Sequence, residues 1–191
     1  MSGTAALYLA FAALGLKQGD VGLVPSVTFA ATANALVYCG AEAYFCDTHP
    51  CTVMSGAIHF ENAVEELSES GRAAKVYVTV SFSGRVAEMG AIQSLASKTG
   101  AYVVEDAAHS LGAVEKGIRS GSCSHSDAAI LSFHPVKLVT KAREGAEAFY
   151  SGYLSLPLYP NLSADEQSYV IDALGQFCQK LGQPWELVGP W

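Results

Sequence analysis

VGLVPSVTFAATANALVYCGAEAYFC, residues 21–46, carries one full period of the pattern that decides the fold. Val21 to Pro25 is a short, almost wholly apolar run, as a strand buried on both faces must be. Thr28 to Tyr38 is longer and rich in alanine. It stops before Gly40, a residue able to take the left-handed conformation that closes a helix. Ala43 to Cys46 then returns to a short apolar run and likewise reads as a strand buried on both faces. Strand, helix and strand in that order are the mark of an α/β protein.

The alternation continues on both sides. Ala74 to Val80, Ala101 to Glu105 and Ala128 to Phe133 read as strands that are likewise buried on both faces. Thr4 to Leu14, Phe60 to Glu69 and Val86 to Lys98 read as helices, each stopping at or just before a glycine: Gly15, Gly71 and Gly100. GAVEKGIRSG, Gly112 to Gly121, reads as a small hairpin around a central glycine. Beyond Phe133 the pattern fails. Lys137 to Gly152 has no clean period, and LSLPLYPNLS, with Pro157 and Pro160, is an extended loop that no central strand could contain. Ser163 opens a helix with Glu166 completing a capping box; Tyr169, Val170, Ala173, Leu174 and Phe177 line one of its faces. Gly182 to Trp191 reads as either a docked arm or a disordered tail.

Composition sets the bounds. The chain has 191 residues, 50% hydrophobic and 15% charged, which excludes a disordered or solvating segment. A chain of this size folding as one domain hides roughly 70% of its unfolded surface. A formal charge of -7 argues against a phosphate-binding face for nucleic acid. The five cysteines (Cys39, Cys46, Cys51, Cys123, Cys178) are odd in number and form no CxxC pair, so buried, reduced thiols in a cytoplasmic protein are expected. Ala5 to Leu16 is apolar, but it falls short of the ~20 residues a membrane span needs. No Lys or Arg precedes it, and Lys17 and Asp20 follow, so no membrane association is expected.

Ligands of doubly wound sheets gather beyond the carboxyl ends of the strands. The residues there are polar: Ser26, Thr28 and Phe29 after the first strand, Asp106 and His109 after the fourth, and Ser132, His134 and Lys137 at the last. Ser2, Gly3 and Thr4 open a helix, where backbone N–H groups and the dipole favour an anion. Each has an ordinary structural reading as well: helix caps for Ser2 to Thr4, a turn residue for Asp106, a surface lysine for Lys137, core for Phe29, and satisfied or solvent-facing rings for His109 and His134. Cys46, Asp47, His49 and Cys51 lack a second ligand pair at a known spacing, and Cys123 with His125 does no better, so no metal is expected.

Four segments in order outweigh those ordinary readings: GTAAL (residues 3–7), VPSVTFAATANAL (24–36), VVEDAAHSLGA (103–113) and SDAAILSFHPVK (126–137). Together they resemble the pyridoxal-phosphate-dependent (PLP-dependent) sugar aminotransferases of the DegT/DnrJ/EryC1/StrS family, from about Ser2 to Gly145. The resemblance implies a three-layer αβα large domain of fold type I, with a mostly parallel sheet, over residues 1–146. Residues 147–191 would be a C-terminal segment packed on it, and the family's small domain would be largely missing. It also implies PLP as the cofactor, an electron sink for amine chemistry. Lys137 would form the Schiff base and shuttle the proton. Asp106 would pair with the pyridine nitrogen, Phe29 would stack on the ring, and His109 would lie near it. Gly3, Thr4 and Ser132 would hold the phosphate.

SDAAILSFHPVK, His109 where many relatives have Gln, and YLSLPLYPNLSADEQSYVIDAL resemble the branch that aminates C4 of a UDP-linked 4-keto-6-deoxy-N-acetylhexosamine in pseudaminic acid biosynthesis, with L-glutamate as donor. The resemblance also exposes departures. Family members carry a segment before SGTAAL. After the lysine they continue with a TTGEGG run, a further strand and a small domain, whereas here LVTKAREGA leads into AFYSGYLSLPLYP, which resembles the family's C-terminus. The expectation is an internally truncated homodimer in which Tyr150 to Leu156 replaces a lost strand. Its partners are a nucleotide sugar and L-glutamate; the alternative is a catalytically inactive binding or interaction module on the same fold.

Overall fold

Val76, Tyr77 and Val78 are consecutive and all buried, yet their side chains enter two different cores. Successive residues of a strand point to opposite faces, so this strand is covered on both. Val76 and Val78 join Ala6, Leu7, Phe11 and Leu36, whereas Tyr77 joins Phe60, Leu67 and Ile92, its ring tilted against Phe60 at a centroid distance of 5.7 Å. The computed structural model describes residues 3–133. In order these form α1 (Gly3–Ala13), β1 (Val21–Pro25), α2 (Ala30–Tyr38), β2 (Glu42–Cys46), α3 (Ala57–Glu69), β3 (Val76–Val80), α4 (Met89–Thr99), β4 (Tyr102–Asp106), β5 (Val114–Glu115), β6 (Ile118–Arg119) and β7 (Ala128–Ile130).

Five strands form a parallel sheet in the order β2-β1-β3-β4-β7. Helices α1 and α2 supply one core and α3 and α4 the other, which is the expected three-layer αβα arrangement. Helix α2 lies close to the sheet because Gly22 has no side chain. A Cβ there would sit 2.6 Å from Leu36 Cδ1 and 2.8 Å from Cδ2. Leu36 is fully buried and has little room to yield. Gly22→Ala is therefore expected to cost about 2 kcal/mol of stability by overpacking. Chemical denaturation checks this, and part of the loss should return in the Gly22→Ala, Leu36→Ala pair relative to Leu36→Ala alone.

The helices end at the expected glycines, with Gly100 in the left-handed region at φ 74° and Gly15, Gly40 and Gly71 also at positive φ. Their starts differ from expectation. Helix α2 begins at Ala30, because Phe29 is extended (φ -72°, ψ 135°) and serves as the cap residue. Helix α3 begins at Ala57, before Phe60: His59 Nδ1 accepts from the Gly56 N–H at 3.0 Å, and Glu88 Oε2 accepts from the Ala57 N–H at 3.1 Å. Glu88 thus caps a neighbouring helix, and its own helix α4 starts only at Met89, not at Val86.

One strand differs from expectation in its environment. Among the described residues β2 lies at one end of the sheet and is not buried on both faces; its Phe45 is 54% exposed. β7 stops at Ile130, and Leu131–Phe133 have no regular structure. The hairpin is present, with Lys116 (φ 52°) and Gly117 (φ 81°) as the two turn residues; positive φ at both suits the right-handed twist of a two-residue connection. Of the described cysteines, only Cys46 is buried; Cys51 is exposed and Cys39 and Cys123 are intermediate. Lys137, His134, Cys178, the helix expected from Ser163, Tyr150 to Leu156 and the boundary at 146 all lie outside the described residues. Among the described residues no helix is long and apolar enough to cross a membrane.

Candidate functional site

From β1 the chain passes to β2 on one side and then to β3 on the other, so the winding reverses between β1 and β3. Such a reversal opens a crevice beyond the carboxyl ends of the strands. Asp106 is the last residue of β4, in register with Val80 of β3 and Ile130 of β7. It is 6% exposed. Its Oδ2 accepts from the Thr32 hydroxyl at 2.9 Å, and its Oδ1 accepts from the Ala108 N–H at 3.1 Å. Thr32 in turn accepts from the Thr28 hydroxyl at 2.9 Å. The Thr32 hydroxyl and the Ala108 N–H thus donate to different oxygens of the carboxylate.

The adjacent Glu105 points to the opposite face of the same strand. It is also buried, and it accepts from Ser120 Oγ at 2.6 Å, Ser81 Oγ at 3.3 Å and the Gly121 N–H at 3.0 Å. Ser120 also bonds Ser110 at 2.6 Å. These contacts tie the base of the hairpin and the loop after β3 to the sheet. The two neighbouring carboxylates are thus divided, Asp106 meeting Thr32 of α2 on one face of the sheet and Glu105 holding the scaffold on the other.

His109 follows Asp106 by three residues and stacks on Phe82, with ring centroids 5.3 Å apart and planes at 29°. Its carbonyl accepts from the Gly84 N–H at 2.8 Å, so the loop after β3 holds both its ring and its backbone. Gly3, the first residue of α1, lies against Ser132: a Cβ on Gly3 would be 3.6 Å from Ser132 Cβ and 3.7 Å from its hydroxyl. The first turn of α1 carries no acidic residue. A helix start with a serine hydroxyl beside it and no acidic residue in its first turn is suited to a phosphate group. Thr4 is the next residue of that turn and is partly exposed.

Phe29 was expected in the core if it served only packing. It caps α2 instead and is 68% exposed, four residues past the carboxyl end of β1. An exposed aromatic ring at this place can cover the face of a planar ligand. The described residues therefore fit PLP: a carboxylate for the ring nitrogen, an aromatic ring for its face, and a helix start with a serine for its phosphate. Thr32 and Phe82 escaped the sequence reading. Thr28 and Thr32 are spaced to share a helix face, but nothing in the sequence ties them to a residue 74 positions away.

The segment from Cys46 to Cys51 has a local task. His49 Nδ1 accepts from the N–H groups of Cys51 at 3.2 Å and Thr52 at 3.4 Å, closing a turn. Burial pushes the Cys46 thiol up to about 12, so it remains protonated. Among the described residues no three of His, Cys, Asp and Glu gather closely enough to hold a metal.

A parallel αβα sheet with an aspartate at the end of β4 and a phosphate-type cradle at α1 and β7 defines the large domain of a fold type I, PLP-dependent protein. Residues 1–146 match the DegT/DnrJ/EryC1/StrS aminotransferase family, and the chain belongs to it. Members of this family are PLP-dependent. Over 145 residues the chain is 39% identical to the UDP-4-amino-4,6-dideoxy-N-acetyl-beta-L-altrosamine transaminase of Campylobacter jejuni, covering 76% of this chain and 37% of that protein. A DegT DnrJ EryC1 StrS aminotransferase from Brucella abortus superposes with a TM-score of 0.68 at 29% identity, covering 78% of this chain and 43% of that one. NtdA from Bacillus subtilis, solved with its cofactor PMP, superposes with a TM-score of 0.61 at 29% identity, covering 71% of this chain and 28% of that one. The chain spans well under half the length of the relatives it matches.

Proposed function

We propose that this chain holds PLP in the crevice at the ends of β1, β4 and β7 and transfers an amino group from L-glutamate to a nucleotide-linked 4-keto sugar. The observation that supports this best is Asp106: a buried carboxylate at the carboxyl end of an inner strand, with the Thr32 hydroxyl on Oδ2 and the Ala108 N–H on Oδ1. Bound PLP supplies a protonated pyridine ring that draws electron density from the donor's Cα–H bond. Asp106 keeps a proton at the ring nitrogen. The N–H groups of Gly3 and Thr4 and the Ser132 hydroxyl orient the phosphate. Phe29 covers one face of the ring and keeps water from it. His109, braced by Phe82, borders the ring, and Lys137 is the covalent anchor and proton carrier.

The acceptor on this reading is a UDP-linked 4-keto-6-deoxy-N-acetylhexosamine, supported by the likeness to the Campylobacter transaminase. The large domain ends near residue 146, followed by a C-terminal segment over 147–191. The working unit is a cytoplasmic homodimer in which the second copy adds sugar contacts. The test is spectroscopic: L-glutamate added to the PLP-loaded protein should convert the cofactor to its pyridoxamine form with release of 2-oxoglutarate. A protein that holds PLP but leaves its spectrum unchanged with L-glutamate contradicts the transferase reading and returns the chain to the binding-module alternative.

A further inference from the structure

In α4, each hydroxyl that follows the common pattern bonds a carbonyl one turn back: Ser94 to Gly90 at 2.8 Å, Ser97 to Gln93 at 2.9 Å and Thr99 to Leu95 at 3.3 Å. Thr32 in α2 does something else. It is fully buried, and its hydroxyl donates across the core to Asp106 Oδ2. Its own lone pair accepts from Thr28, so the two hydroxyl protons run in one direction and end on the carboxylate. A β-branched residue is a poor choice in a helix whose neighbouring positions are Ala30, Ala31, Ala33 and Ala35. The hydroxyl is what Thr adds there.

With Thr32 on Oδ2 and the Ala108 N–H on Oδ1, both carboxylate oxygens of Asp106 are held and its plane cannot rotate freely. We infer that Thr32 is a positioning residue for Asp106, and that the Thr28–Thr32 hydroxyl chain sets the direction in which this carboxylate meets the cofactor's ring nitrogen. The inference rests on the cofactor reading above. Partners one shell behind a ligand typically carry about a tenfold to hundredfold effect on affinity or activity.

The test uses the full chain with Thr32→Val, which keeps the shape and removes the hydroxyl, and Thr32→Ser, which restores it. PLP labelled with 15N at the ring nitrogen is titrated into each. Thr32→Val is expected to weaken the PLP dissociation constant about tenfold and to move the ring-nitrogen resonance toward the unprotonated position, with Thr32→Ser returning both. In the apoprotein, the Ala108 amide proton, bonded to the same carboxylate, should shift in Thr32→Val and return in Thr32→Ser. If Thr32→Val fails to fold, Thr28→Val, at a partly exposed position, should move the same signals in the same direction by less. A folded Thr32→Val with wild-type affinity and an unmoved ring-nitrogen resonance overturns the inference, whatever its melting temperature. Failure of the wild type to bind PLP overturns the cofactor reading instead. The Ala108 amide then decides for Thr32: an unmoved signal overturns its role as a holder of Asp106, and a shift that Ser reverses supports it.

Discussion

Asp106→Ala should leave the chain folded and lower transamination by about 100- to 1,000-fold, the range lost when one preorganised electrostatic partner is removed from a reacting centre. The fold survives because Asp106 ends β4 at the rim of the sheet, and among its described partners the change deprives the Thr32 hydroxyl and the Ala108 N–H. That costs about 1–2 kcal/mol. Turnover is expected to fall because Glu105, the neighbouring carboxylate, cannot substitute: it is turned to the other face of the sheet and engaged by Ser81, Ser120 and the Gly121 N–H. Asp106→Asn should behave alike, since an amide has no charge with which to hold a proton on a pyridine nitrogen. Circular dichroism with a coupled assay for 2-oxoglutarate separates the two effects. Wild-type turnover in a folded Asp106→Ala protein would remove Asp106 from the site.

Glu105→Ala should do the reverse and cost about 3 kcal/mol of folding stability. The carboxylate is 3% exposed and holds Ser81, Ser120 and the Gly121 backbone, so its removal strands buried donors at the point where the hairpin meets the sheet. Glu105→Gln should cost less, because its carbonyl can still accept one of the three while its amide opposes another. Urea denaturation of the three proteins gives the order wild type, Gln, Ala. A Glu105→Ala protein as stable as wild type would show that the network contributes nothing net.

This division between two adjacent acids could not be read from VVEDAAHS. Strand alternation places them on opposite faces, but it does not tell which of them meets Thr32 of α2. Other parts were legible for physical reasons. Val21–Pro25 was found at its true limits because a central strand is apolar throughout and a loop follows its proline. Helix ends were legible because Gly15, Gly40, Gly71 and Gly100 mark a backbone conformation that other residues avoid. Strand order was not, so β2 passed for a central strand although among the described residues it lies at one end of the sheet with Phe45 exposed. The exposure of Phe29 was hidden for the same reason, since an aromatic side chain reads as core until its place at the crevice is known. Thr32 stayed hidden because its partner is 74 residues away, beyond any local pattern.

The most direct test of the account is capture of the cofactor itself. Purified protein mixed with PLP, reduced with borohydride, digested and mapped by mass spectrometry should carry a phosphopyridoxyl group on Lys137, preceded by a near-visible absorbance band that Lys137→Ala lacks. Absence of both the band and the adduct from the folded wild-type protein would contradict the claim that this crevice is a PLP site.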